Sequence, residues 1–114
     1  MKLRTWHEIL MEDLKNNPQA AAGYLEVNLD ELDKEYFLIA LRNTVEANGG
    51  FSKLSRKTKL NRANLYRALS KEGNPEIMTL NKVLNAMGLR LSVSVMQKKK
   101  KRKRPPRQPA KNLL

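Results

Sequence analysis

The 114-residue chain contains no cysteine, one histidine and one tryptophan. Without cysteine, disulfides and thiolate zinc sites are excluded, and the redox compartment leaves no mark on the sequence. His7 has no second imidazole with which to share a metal, so it reads as a surface residue of a first helix. No apolar run approaches the roughly 18 residues of a membrane span. The opening MKLRTWHEIL lacks the apolar core of a secretory signal, so a soluble cytoplasmic protein is expected. Glycine-rich phosphate loops are also missing, since Gly49-Gly50 does not have the required pattern. The carboxylates of Glu12, Asp13, Asp30, Glu31 and Asp33 fall near helix ends, where capping and solvation account for them better than acid–base or metal chemistry. Neither an enzyme nor a cofactor nor a bound metal is expected. One small domain is expected, hiding about two thirds of its unfolded surface.

What the chain has in excess is positive charge, unevenly placed. The net charge is +12. Residues 1–50 hold five basic and nine acidic side chains, residues 51–97 nine and two, and residues 98–114 nine and none. An acidic half therefore precedes a basic half and a basic tail. The basic part favours a polyanion and would release counterions on binding it. The acidic part suits a basic partner or a plain solvated helix surface, and composition leaves both open.

Helical spacing recurs along the chain. Trp6, Ile9, Leu10 and Leu14 predict a helix over about 5–15, and its stripe is either core or a docking face. Asn17-Pro18 supplies a cap and a first-turn proline for a helix over about 18–29. Asp33 caps another, over about 34–48, with Phe37, Leu38, Leu41 and Val45 as its buried stripe; Gly49-Gly50 terminates it. Two short helices follow at about 51–58 and 62–71, then turn chemistry at Gly73-Asn74-Pro75. Thr79 is the expected cap of a last helix ending near Met87. The heptapeptide LRLSVSV (89–95) then alternates strictly, which predicts a short strand. One strand forms no sheet alone, so it either pairs with a second copy or lies on the sheet edge of a partner; the expectation is a homodimer, with Leu91, Val93 and Val95 facing the copy. Residues 97–114 combine seven consecutive basic residues with three prolines and predict a disordered arm. Its KKKKRKR run allows a nuclear-localisation reading, a phosphate-binding arm, or a tail with no selected role.

The stretch FSKLSRKTKLNRANLYRAL (51–69) carries Lys53, Arg56, Lys57, Lys59, Arg62 and Arg67 and no acidic residue. Leu54, Leu60 and Leu65, with Ala68, are spaced to fix two short helices against each other. In a helix-turn-helix the second helix enters the major groove. Asn61, Arg62, Ala63, Asn64, Tyr66 and Arg67 are then the candidate DNA-binding residues. Arg pairs with guanine edges, Asn with adenine, and Ala meets a thymine methyl. Ser52 and Lys53 would hold phosphates. A merely basic surface helix is the plainer alternative.

The segments LSRKTKLNRANLYRALSKEGNP and TLNKVLNAMGLRLSV resemble the addiction-module antidote family, HigA-like antitoxins related to Xre/Cro repressors. Upstream, LKNNPQAAAGYLEVNLDE and FLIALRNTVEANGG are similar to that family's Ala-rich and ALR-containing helices, so the resemblance covers about residues 10–95. Two positions depart from it: Lys59 stands where glycine is usual in the turn, and Ser55 where alanine is usual.

The expected fold is all-α: a five-helix domain whose helix-turn-helix the resemblance makes lambda-repressor-like, with one short C-terminal β-strand and a disordered basic tail read from the residues, the tail not being a feature of that family. The resemblance implies a RelE/ParE-type toxin as partner and double-stranded operator DNA as ligand. Residues 1–33 are then the candidate toxin-contact region, through Trp6, Leu10, Leu14, Tyr24 and Leu25. Residues 34–96 form the DNA-binding domain and 97–114 the tail. A stand-alone Xre-like repressor without a toxin is the main alternative. A non-specific nucleic-acid-binding protein driven by the tail is a third.

Overall fold

The computed structural model describes residues 3–30 and 33–96. The basic arm expected after residue 96 lies outside them, as do Glu31 and Leu32 at the expected break between the second and third helices.

Among the described residues the fold is helical, with α1 at Trp6–Leu14, α2 at Pro18–Asp30, α3 at Lys34–Ala47, α4 at Gly50–Thr58, α5 at Arg62–Ala68 and α6 at Ile77–Ala86. Local chemistry sets most of these boundaries. Thr5 and Glu8 form a reciprocal capping box on α1, each side chain accepting the other's backbone N–H at 3.0 Å. Asn17 Oδ1 accepts the Ala20 N–H at 3.1 Å and starts α2. Asp33 Oδ1 accepts the Glu35 N–H at 2.9 Å and starts α3. Asn61 Oδ1 accepts the Asn64 N–H at 2.9 Å and starts α5.

Three expectations need correction. Among the described residues there are six helices, one for each stretch of helical spacing read along the chain, and not the five of the expected domain. The last helix starts at Ile77, not after Thr79: Glu76 is extended and its carbonyl accepts the Leu80 N–H at 2.9 Å, so Thr79 lies in the first turn. The C-terminal strand is not formed among the described residues. A strand needs a neighbour's backbone groups, and the described chain offers no second strand. Instead the segment is tied down at its start, with the Leu89 N–H on Leu84 O at 2.8 Å and the Leu91 N–H on Asn81 Oδ1 at 3.3 Å.

Helix α3 is the centre of the packing. Its Leu38, Ala40, Leu41, Thr44 and Val45 are buried, and α1, α2 and α4 all lie against it. Leu25 of α2, Leu54 of α4, Leu65 of α5, Leu69, and Val83 and Leu84 of α6 complete the core. Thr44, the one buried polar residue among the described residues, donates its hydroxyl to Ala40 O at 2.9 Å, so no polar group is left unmatched there. Gly73 closes the loop between α5 and α6. A Cβ on it would lie 2.0 Å from Ala68 O, so the chain can pass that carbonyl only without a side chain.

Candidate nucleic-acid interface

Helices α4 and α5 pack together across the three-residue connection Lys59-Leu60-Asn61. Leu54 and Leu65 are buried at their contact, Leu60 is half-buried, and Leu69 supplies the remaining buried side chain. The turn resolves the question posed by Lys59. Its φ and ψ are 65° and 22°, the left-handed region. That conformation brings Cβ towards the carbonyl and costs about 1 kcal/mol for an L-residue. Hydrogen bonds hold the turn in place: the Lys59 N–H donates to Ser55 O at 2.8 Å, and the Ser55 hydroxyl donates across the turn to Leu60 O. The Leu60 N–H in turn donates to Thr58 Oγ1 at 3.3 Å. The serine that replaces the usual small alanine thus clasps the turn that a lysine strains.

All eight side chains considered for DNA contact are exposed: Ser52, Lys53, Asn61, Arg62, Ala63, Asn64, Tyr66 and Arg67. Arg62 and Tyr66 lie four residues apart on α5 and so share one face. The Arg67 guanidinium donates to Asn64 Oδ1, which ties those two side chains together. Among the described residues, none of the basic groups of α4 and α5 is paired with a carboxylate; the carboxylate contacts formed are the Arg4–Glu12 ion pair and the His7–Glu46 hydrogen bond. Lys57 is directed elsewhere, its Nζ donating to Ala86 O at 3.1 Å in the last turn of α6, where the helix dipole favours a cation.

Arg42 and Phe51, which the spacing of the sequence did not single out, also belong to this surface. The Arg42 guanidinium lies 5.4 Å from the centroid of the Tyr66 ring, and Nη2 is 3.5 Å from the phenol oxygen. Phe51 meets the same ring edge-on at 5.3 Å. Arg42 sits one position past the buried Leu41, at the edge of α3's inward face. Periodicity marks it as a boundary residue but cannot say which neighbour it meets.

A second surface lies on the opposite charge half. Trp6, His7, Leu10, Asp13 and Tyr24 line a shallow apolar pocket between α1 and α2. The Trp6 side chain is 82% exposed, so it is not part of the core. Tyr24 is fixed from α3, where Asn43 Nδ2 donates to its hydroxyl at 3.0 Å. His7 Nε2 meets Glu46 Oε2 of α3 at 3.1 Å. Leu14 and Leu25, grouped with these residues by spacing, are 2% and 6% exposed. They hold α1 and α2 down and support the pocket from beneath instead of forming its surface.

The residues considered for pairing between copies lie on a third surface. Val93 and Val95 are 99% and 90% exposed, and Leu91 is 38% exposed. Among the described residues no cluster of three or more metal-ligating side chains occurs, and no helix is long and apolar enough to cross a membrane.

An uncharacterized protein of Haemophilus influenzae is 37% identical over 70 residues, which is 61% of this chain and 71% of that protein. No solved structure matches the chain. A family model described as "Probable addiction module antidote protein" matches residues 7–95, which takes in the turn between α4 and α5, the exposed residues of those helices, and the second surface apart from Trp6. The chain belongs to this family of addiction-module antidotes.

Proposed function

We propose that the chain is the antitoxin of a type II toxin–antitoxin module: it neutralises a RelE/ParE-type toxin and represses its own operon by binding operator DNA. In this reading α4 and α5 are a HigA-like, Xre/Cro-type helix-turn-helix, with α5 in the major groove. Asn61, Arg62, Ala63, Asn64 and Arg67 face base edges, while Ser52 and Lys53 hold phosphates. Residues 34–96 are the DNA-binding unit, residues 1–33 carry the toxin contact and residues 97–114 add a basic arm. The observation that carries the DNA reading is the set of exposed basic side chains on α4 and α5 with no carboxylate partner among the described residues, presented by a turn held at Lys59.

The toxin contact is placed on the pocket lined by Trp6, His7, Leu10, Asp13 and Tyr24. An exposed tryptophan over an apolar hollow is the kind of anchor that dominates protein interfaces. The nine acidic residues of the first fifty suit a basic toxin. Homodimerisation is assigned to the segment after α6, through the exposed side chains of Leu91, Val93 and Val95. The protein is read as cytoplasmic, non-enzymatic and free of cofactors.

The test is co-expression of the tagged chain with the adjoining reading frame, followed by gel shifts on a duplex from its own promoter. Co-purification of a small basic protein together with a sequence-dependent shift is expected. A shift without a co-purifying partner would leave a stand-alone repressor, and loss of both would end the proposal.

A further inference from the structure

We propose that Arg42 of α3 and Tyr66 of α5 together grip one backbone phosphate of duplex DNA, one helical turn beyond the base contacts of Arg62. This inference rests on the DNA-binding reading of α4 and α5 and extends it to a residue outside those two helices. The Arg42 guanidinium presents five N–H donors. Only one is engaged by Tyr66, at 3.5 Å, and among the described residues no carboxylate pairs with the others. The Tyr66 phenol oxygen accepts that long contact and keeps its own O–H to donate, and the residue is 51% exposed. The two groups converge in a cleft that they line with Ile39, Asn43, Gly50 and Phe51. Glu46 also lines it, with Oε2 turned to His7 Nε2 at 3.1 Å and not to Arg42.

The chemistry of the pair suits a phosphate. A planar guanidinium matches the phosphate oxygens bidentately and carries a charge that water does not remove. The guanidinium over the tyrosine face and the edge contact from Phe51 fix the ring between them, so the hydroxyl needs little ordering when the oxygen arrives. Position fits as well. Tyr66 follows Arg62 by four residues on the same face, a rise of about 6 Å along the helix. A helix whose first turn meets base edges brings its next turn towards the strand bordering the groove. Arg42 would therefore set how the recognition helix seats without reading sequence.

The test measures binding of the full chain to two 30-base-pair duplexes, one from its own promoter and one of scrambled sequence, across a salt series. Variants are Arg42→Ala, Arg42→Gln, Tyr66→Phe and Arg62→Ala, each checked for unchanged thermal unfolding. Arg42→Ala and Arg42→Gln are expected to weaken both duplexes by a similar factor, on the order of tenfold. They should also flatten the log–log salt slope by about 0.9, the signature of one lost phosphate contact. Tyr66→Phe, which loses a neutral donor, should weaken both with the slope retained. Arg62→Ala should instead erase the preference between the duplexes. If the native chain binds neither duplex, the DNA reading itself fails. If it binds the promoter and Arg62 matters, but both Arg42 variants keep the native affinity and slope, the phosphate assignment alone is overturned. An Arg42 effect confined to one sequence would make it a base reader and also overturn the proposal.

Discussion

Replacing Lys59 by glycine and, separately, by alanine reads the backbone of the turn directly. Both substitutions remove the same ammonium group, so any loss of its interaction with the C-terminal end of α4 is common to the two. They differ in what the left-handed conformation costs. With φ at 65°, an alanine keeps the Cβ–carbonyl crowding of about 1–2 kcal/mol, whereas glycine escapes it. Glycine loses more freedom on folding, which returns roughly 0.4–1 kcal/mol. The net expectation is that Lys59→Gly is more stable than Lys59→Ala by about 1 kcal/mol, or about 4 °C in Tm for a chain of this size. In a right-handed helical turn the sign reverses, with alanine ahead by about 0.8–1 kcal/mol. Urea unfolding followed by far-ultraviolet circular dichroism separates the two cases. Alanine proving the more stable would show that position 59 is not left-handed, and the turn that aims α5 would need another description. Ser55→Ala, measured alongside, should lose about 1 kcal/mol through the missing bond to Leu60 O.

Other measurements probe the remaining surfaces. Trp6→Ala should weaken toxin capture by about 2 kcal/mol or more while leaving unfolding within about 0.5 kcal/mol, since its ring is exposed; a pull-down titration beside a melt checks both. Leu14→Ala should lose about 2–5 kcal/mol of stability because that side chain is buried, and a melt unchanged from the native one would contradict its place in the core. Arg62→Ala should cost about 1–3 kcal/mol of promoter binding and relax sequence preference in a gel-shift series. Truncation after Met96 should flatten the salt dependence of DNA binding and spare sequence choice, because it removes nine basic residues and no described helix.

The helices were legible because their boundaries are local chemistry. Asn17-Pro18, Asp33, Gly49-Gly50 and Asn61 each act within a few residues of themselves, and each stands at a boundary in the fold. The Thr5-to-Glu8 capping box, which helical spacing alone does not pick out, is equally local, a threonine followed three residues later by a glutamate. Thr79 misled because a good cap residue also fits inside a first turn, and the extended Glu76 after Pro75 had already started the helix. The strand misled for a different reason. Alternation in LRLSVSV describes which side chains share a face, but a strand exists only where another backbone accepts its hydrogen bonds. Nothing in that heptapeptide says whether the neighbour is in the same chain. Leu14 and Leu25 show the same limit on helices: spacing places them with Trp6, Leu10 and Tyr24, while burial separates what supports a surface from what forms it.

Helix α3 explains why the residues that spacing missed are the ones that join the surfaces. Its Leu38, Leu41 and Val45 face the core, which leaves Arg42, Asn43 and Glu46 at the rims of that face. Arg42 reaches the Tyr66 ring on α5, Asn43 reaches the Tyr24 hydroxyl on α2, and Glu46 reaches His7 on α1. One turn of one helix thus fixes an aromatic or imidazole ring on each of three others. These contacts cross from 19 to 39 positions along the chain, so they cannot be read from a local pattern and are made only once α3 is packed. The acidic and basic halves of the sequence, which composition treats as separate, are therefore built on a common floor. A substitution on the rim of α3 that leaves the core intact would change how a ring is presented, not whether the protein folds. Arg42→Ala and Asn43→Ala are accordingly better probes of the two exposed faces than deletion of residues 1–30, which would strip Leu14, Ala21 and Leu25 from the buried set and confound loss of binding with loss of structure.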